Sequence, residues 1–335
     1  MSPGLLIRLR PTGPWRIGPD SGVRDRVDRV YHSDALYSAV SSAMAQLGLL
    51  DEWLEATARA AEPAVRFGSC FPYQGDTLFV VPPRNMWPPQ ASSKVRWKGA
   101  RFVPVSVVET LAAGKALLED AWAIDGESEC LVPLRTPAVQ GPFRVAVRSN
   151  AAMDRDGTAA APHSTACLEF TPDSGLWTVA QFADDSARQA WSDRVVAAFR
   201  LLADSGFGGE RSRGWGRSEM PRVTAGNMPG LLFKDSETQP PSAYWLLSLF
   251  YPGSADTINW DLGDYVMTTR GGRVESQAGW GDGKKLTRMV AEGSVLVSAT
   301  DLRGAASDVA PDGFAHPVYR AGFALAIPIP VKVTA

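Results

Sequence analysis

The segment Gly206-Phe207-Gly208-Gly209-Glu210-Arg211-Ser212-Arg213-Gly214-Trp215-Gly216-Arg217 packs five glycines, three arginines and a single acid into twelve residues. Glycine permits positive φ and lets a ligand come close. Inward-turned amides form an anion nest, and Arg211, Arg213 and Arg217 can add bidentate phosphate contacts. Mononucleotide loops are disfavoured: Arg211 and Glu219 stand where a G-x-G-x-x-G run needs its last glycine, and Trp215 stands where a Walker A loop needs lysine. Those motifs also run from strand to helix, whereas here a helix comes first. Arg188 to Asp204 sets Trp191, Val195, Phe199 and Leu202 on one helical face, and a strand is expected near Arg217 to Val223. A plain glycine turn is the competing reading. Three arginines among four of the glycines weigh against it.

Working outward, Leu5 to Arg10 reads as a strand stopped by Pro11, Gly13 and Pro14. Ser33 is a good N-cap for a helix with Leu36, Val40, Met44 and Leu47 at helical spacing, and Gly48 suits its C-cap. Phe71 to Tyr73, Thr77 to Val81 and Gly175 to Phe182 read as strands. Strand, helix, two strands, helix, strand is the ferredoxin-like order. It is interrupted by an insertion at about 84–150, partly extended, with a short helix near Val107 to Leu118. Residues 226–240 read as a linker. The remainder opens with a strand at Tyr244 to Phe250 and closes with one at Phe323 to Ile329, leaving room for a degenerate second copy. The expected fold class is α+β: two ferredoxin-like (RRM-like) domains, residues 1–225 and 241–335, the first with a long insertion and a glycine-rich loop.

The 335 residues are 45% hydrophobic and 21% charged, enough for real cores. A net charge of −2 argues against a free-standing nucleic-acid binder, but a basic groove can sit on a neutral body. Cys70, Cys130 and Cys167 are far apart, which disfavours a zinc site and suits a reducing compartment. The N-terminal segment lacks an apolar signal core, and the run Ala243 to Tyr251 is too short to span a bilayer. A cytoplasmic protein with no membrane segment, no cofactor and no metal is expected. Asp154-Arg155-Asp156 is the nearest carboxylate pair and reads as a turn.

The glycine-rich loop resembles the signature of the RAMP superfamily of CRISPR proteins. His32-Ser33-Asp34-Ala35-Leu36-Tyr37-Ser38-Ala39 resembles a segment of the handle-capping RAMP subunit of type III-A (Csm) effectors. Phe71-Pro72-Tyr73 with Pro82-Pro83 and the basic stretch Lys94 to Pro104 are similar to regions of the same family. So are Arg270-Gly271-Gly272, Lys284-Lys285, Glu292-Gly293-Ser294-Val295 and His316 to Phe323, in the family's order. Residues 105–170 match weakly. The resemblance implies a non-catalytic subunit that clasps the five-prime handle of the guide RNA (crRNA). It also implies contact with the large cyclase/polymerase-like subunit and a backbone RAMP subunit, within a complex that holds target RNA.

The expected RNA-binding residues are His32, Ser33, Lys94, Arg96, Lys98, Gly208, Gly209, Arg211, Ser212, Arg213, Gly214, Trp215, Arg217 and Arg270. Trp87 and Trp97 sit among the cations of residues 84–101, a pattern that suits single-stranded RNA or a charge-guarded strand edge. Arg270 to Arg273 and Lys284-Lys285 read either as the second domain's share of the site or as a polar hairpin. Asp34 would oppose RNA unless it pairs with an arginine. Trp191, Trp245 and Trp260 are expected in the core, with Trp215 the one candidate base platform. An alternative function is a metal-independent endoribonuclease with His32 as general acid or base.

Overall fold

A computed structural model describes residues 2–19, 23–89, 98–134, 140–153, 160–233, 243–276 and 279–330. The strand β1 (Pro3–Leu9) is followed by helices α1 (Ser33–Gln46) and α2 (Leu50–Ala56). Then come β2 (Val65–Phe67), β3 (Phe71–Gln74), β4 (Thr77–Val80), β5 (Val103–Pro104) and α3 (Val105–Ala112). Two hairpins follow, β6 (Trp122–Ile124) with β7 (Leu131–Pro133) and β8 (Phe143–Met153) with β9 (Ala160–Phe170). The half closes with β10 (Ser174–Phe182), helix α4 (Asp185–Ser205) and β11 (Arg222–Asn227).

The main sheet runs β11-β1-β10-β3-β4-β5, with β2 beside β3 on the same partner, β10. Pairing is antiparallel along both flanks of β1, where Ile7 faces Thr178 and Val223. Helix α4 forms as its periodicity dictates: Trp191, Val195, Phe199 and Leu202 are all buried. Its start is capped by Asp184, whose carboxylate accepts from the Ala187 amide at 2.7 Å. Trp191 meets Trp53 edge-on at 5.4 Å, and Phe199 meets Phe67 at 6.0 Å, so α1, α2 and α4 close over one core.

From residue 243 to 330 the described chain is strands and turns without a helix. The strand β12 (Ala243–Leu246) lies between β18 (Val295–Ser298) and β21 (Ala326–Ile329), and β13 (Ile258–Asp264) edges β18. Small ribbons branch from it: β14 (Met267–Arg270) with β17 (Thr287–Val290), β15 (Arg273–Ser276) with β16 (Gly279–Gly283), and β19 (Ala306–Asp308) with β20 (Tyr319–Ala321). Strand alternation splits the small sheet. Trp245, Val295 and Ile327 join the main core, whereas Tyr244, Leu246 and Leu296 form a second, smaller cluster. The two regions interlock: Phe233 stacks on Trp245 at 6.4 Å, and the Trp245 indole donates to the Val81 carbonyl at 3.1 Å.

Several sequence expectations shift. The closing strand starts at Arg222 rather than Arg217, because residues 217–221 fold back to brace the segment after β1. The irregular region does not end near residue 150; the long hairpin β8–β9 carries it to Phe170. The short helix is Val105–Ala112 and stops well before Leu118. Ser33 is not a cap: His32 holds the N-cap position, and no side chain caps α1. Gly48 does close α1, with φ +73° and its amide bonded to the Ala45 carbonyl at 3.1 Å.

Candidate nucleic-acid interface

The glycine-rich loop is braced on both sides. The Phe207 amide donates to the Gly216 carbonyl at 3.0 Å, the Gly216 amide to Pro14 at 2.9 Å and the Gly209 amide to Arg16 at 2.9 Å. Phe207 stacks on buried Trp15 at 5.1 Å. Glycine is demanded by this self-packing. A Cβ on Gly208 (φ +71°) would lie 2.3 Å from the Arg16 carbonyl oxygen, and one on Gly216 (φ +80°) 2.0 Å from that of Phe207. The buried Arg16 guanidinium anchors the neighbourhood, donating to the carbonyls of Arg24 (2.8 Å), Val23 (3.1 Å) and Ala166 (3.0 Å).

Beside the loop lies a groove of about 740 Å³, a size ordinary for ligand sites. One wall is Gly206, Gly208 and Arg211; the floor is the small-residue face of α1, Ala35, Ser38, Ala39 and Ser42. The opposite wall comes from the C-terminal region: Arg270 to Arg273, Lys284, Tyr319 and Arg320. Five cations (Arg211, Arg270, Arg273, Lys284 and Arg320) thus line the groove against one carboxylate, Asp34. Such a surface favours a polyanion.

Asp34 is buried and already paired. Its carboxylate accepts from Arg270 Nε at 3.1 Å and Nη2 at 3.0 Å, and from Arg320 Nη1 at 2.9 Å. Burial works to raise its pKa, but the charges of Arg270 and Arg320 hold it below the usual carboxylate range. Arg320 also donates to the Gly271 carbonyl at 2.6 Å, fixing the glycine turn of the far wall. Asp34 therefore does not repel a phosphate; it sets two guanidiniums at the groove's edge.

His32 is spoken for. Nδ1 lies 2.7 Å from Glu292 Oε1 and Nε2 lies 3.1 Å from Asp28 Oδ2. Burial alone would lower its pKa; Glu292 and Asp28 outweigh that and raise it to about 10. Doubly bonded and cationic near neutrality, it has no free lone pair with which to act as a general base. Ser33 is likewise turned inward: its hydroxyl accepts from the Leu249 amide at 3.0 Å, and its own amide donates to Ser69 Oγ at 2.8 Å.

Of the remaining sequence candidates, Gly208, Arg211 and Arg270 meet in the groove, and Gly209 sits against Arg16 behind it. Ser212, Arg213 and Arg217 are exposed outside the groove lining, with Arg213 ion-paired to Glu210 at 3.2 Å. Gly214 caps the short turn Arg211–Arg213. Trp215 is buried, with the Arg148 guanidinium 5.8 Å from its ring, so it is a support for the loop. Lys98 is exposed; Lys94, Arg96 and Trp97 lie outside the described residues, as do Asp154, Arg155 and Asp156. Trp87 packs part-buried on the core. Arg320 and Tyr319 lie outside the expected RNA-binding set, although their segment carries the family resemblance; tertiary pairing with Asp34 singles out Arg320, and the groove lining Tyr319. Among the described residues no cluster of three or more His, Cys, Asp or Glu could hold a metal, and no helix is long and apolar enough to cross a membrane.

Comparison with known proteins adds a family match over the C-terminal region and a fold for the chain. Residues 239–329 match the family of the CRISPR Csm4 C-terminal domain. No curated protein sequence matches. A chain of a Csm3-Csm4 subcomplex from a type III-A CRISPR-Cas interference complex superposes with a TM-score of 0.66 at 13% identity, covering 98% of this chain and 100% of that one. A chain of a Csm1-Csm4 cassette in complex with cA4 gives 0.60 at 15% identity, covering 98% of each. A chain of the same cassette with pppApA gives 0.58 at 15%, covering 99% of each.

Proposed function

Taking a Csm4-like RAMP chain as the premise, we propose that this protein is a non-catalytic subunit of a type III CRISPR effector that grips the five-prime handle of the guide RNA. One observation carries the reading: the glycine-rich loop and a second glycine turn, 60-odd residues downstream by number, line one groove with Arg211, Arg270 and Arg273, and Lys284 and Arg320 bring its cations to five. Overall charge near zero suits a chain whose remaining surface meets protein. The relatives of similar fold come from Csm1-Csm4 and Csm3-Csm4 assemblies. By that likeness the partners of this chain are a large subunit and a backbone RAMP subunit, in a complex that also holds target RNA.

The fold supports the same reading. The order β11-β1-β10-β3 with helices α1 and α4 supports reading the N-terminal region as ferredoxin-like. The order β13-β18-β12-β21 supports reading the C-terminal region as a degenerate copy, with turns and ribbons in place of both crossover helices among the described residues. Guide-RNA cleavage by His32 has no support in the geometry, since both ring nitrogens face carboxylates.

The test is to co-express the effector with Arg211, Arg273 and Lys284 changed to alanine, and in parallel with Arg213 and Arg217 changed to alanine. The groove variant is expected to lose guide RNA on purification while the second variant keeps it. Equal retention in both would refute the groove as the grip.

A further inference from the structure

The described residues carry thirteen exposed large apolar side chains, and five of them, Trp260, Leu262, Tyr265, Val266 and Met267, fall within eight residues. Such clustering is unusual for a surface that meets only water. Trp260 was expected in the core; it is 37% exposed, and Leu262 is 66% exposed.

The local geometry is built, not frayed. Ile258 and Asn259 pair with Ser298 and Val297, and pairing resumes only at Asp264, opposite Val295. Residues 260–263 therefore stand opposite Leu296 alone and bow out from the sheet edge. Both ends of the bulge are pinned. Ile258 packs on the second apolar cluster, the Asp264 carboxylate accepts from Arg84 Nε at 2.8 Å, and the Val266 amide donates to Ser294 Oγ at 3.1 Å. Gly263 fits where a Cβ would lie 3.2 Å from both the Val295 carbonyl oxygen and the Tyr265 ring. Trp260 meets that ring edge-on at 5.1 Å.

We propose that this bulge is a docking knob for a partner protein subunit whose surface offers an apolar pocket rimmed by a lysine or arginine. Trp260 and Leu262 are the anchors, in keeping with the dominance of large apolar side chains at the centres of interfaces. Exposed Asp261 lies between them in sequence and calls for a cation on the other side. The same acid disfavours RNA as the occupant, since phosphate would meet Asp261 and the already paired Asp264. It also disfavours a second copy of this chain, which would bring its own Asp261 to the contact. The knob stands apart from the groove, whose residues it does not share. It rests on the effector reading only for the choice of partner.

The test titrates the purified chain against a large subunit, a backbone RAMP subunit and a handle-RNA oligonucleotide, each separately. Leu262→Asp is expected to weaken one of the two protein pairings by about tenfold or more. Asp261→Lys should weaken the same pairing. Melting temperature and RNA affinity stay at the wild-type value in both variants, as expected for exposed positions. Unchanged pairing with both subunits overturns the knob while leaving the effector reading intact. So does a loss confined to RNA, or a wild-type chain that self-associates through Leu262. A wild-type chain that pairs with neither subunit overturns both.

Discussion

His32 and Asp34 sit two residues apart at the start of α1, and each is the centre of a buried charge cluster completed by the C-terminal region. Around His32 the charges balance: Glu292 and Asp28 face the imidazolium, and Arg101 pairs with Asp28 at 3.1 Å. Around Asp34 they do not, because two guanidiniums share one carboxylate and both reach the groove. The first cluster seals the seam between the two halves. The second spends the same kind of contact on leaving positive charge where a ligand can find it. Buried ion pairs contribute little net stability against an apolar alternative, but breaking one leaves an uncompensated charge.

The sharpest way to break this contrast is Asp34→Ala, which strands two mostly buried guanidiniums. A loss of about 3–5 kcal/mol is expected, read by urea unfolding. Asp34→Asn keeps the shape and part of the hydrogen bonding, and should cost less. If Asp34→Ala leaves stability unchanged, the second cluster is not a structural pair.

Next in size is the pH dependence of the first cluster. The pKa of His32 is raised from 6.5 to about 10, so its contribution is whole below about pH 6.5 and drains away as pH rises through 10. Asp28 and Glu292, held low chiefly by His32 against the opposing effect of burial, act in the opposite limb and lose their contribution as pH falls below the carboxylate range. Wild-type stability should therefore decline between about pH 7 and about pH 10, with a slope of at most about 1.4 kcal/mol per pH unit from this one proton. His32→Gln should flatten that decline. An unchanged alkaline limb in the variant would show that the seam does not depend on the imidazolium.

Smaller effects separate the groove from its surroundings. Lys284→Ala should leave folding intact, weaken handle-RNA binding, and reduce the salt slope by about 0.7, one phosphate's worth on a single strand. Arg213→Ala removes an exposed pair with Glu210 and should change stability by less than about 0.5 kcal/mol, with no effect on the salt slope. A larger RNA defect in Arg213→Ala than in Lys284→Ala would move the grip from the groove to the outer face of the loop.

The parts of the molecule legible in its sequence are those whose signals are local. Helical spacing in α4 and the apolar run of β1 both survive. The second wall of the groove is half legible, as a basic glycine turn for which a polar hairpin is the safer reading from sequence alone. What decides it is the pairing of Asp34 with Arg270, 236 residues away, and with Arg320, 286 away. No periodicity carries information over such distances. The hairpin β8–β9 did leave a trace, since Arg144 and Arg148 alternate with Val145 and Val147. Trp260 misled because a tryptophan is usually buried, and the bulge that exposes it depends on register with a strand some 35 residues on.

Three consecutive residues, His32, Ser33 and Asp34, each reach a different part of the C-terminal region: Glu292, the Leu249 amide, and the pair Arg270 and Arg320. They work as a keystone. During synthesis this triplet is made 286 residues before its last partner, Arg320. The N-terminal strands and helices thus wait with their polar keystone unset until Arg320 has emerged, and the two sides of the groove lock together only then.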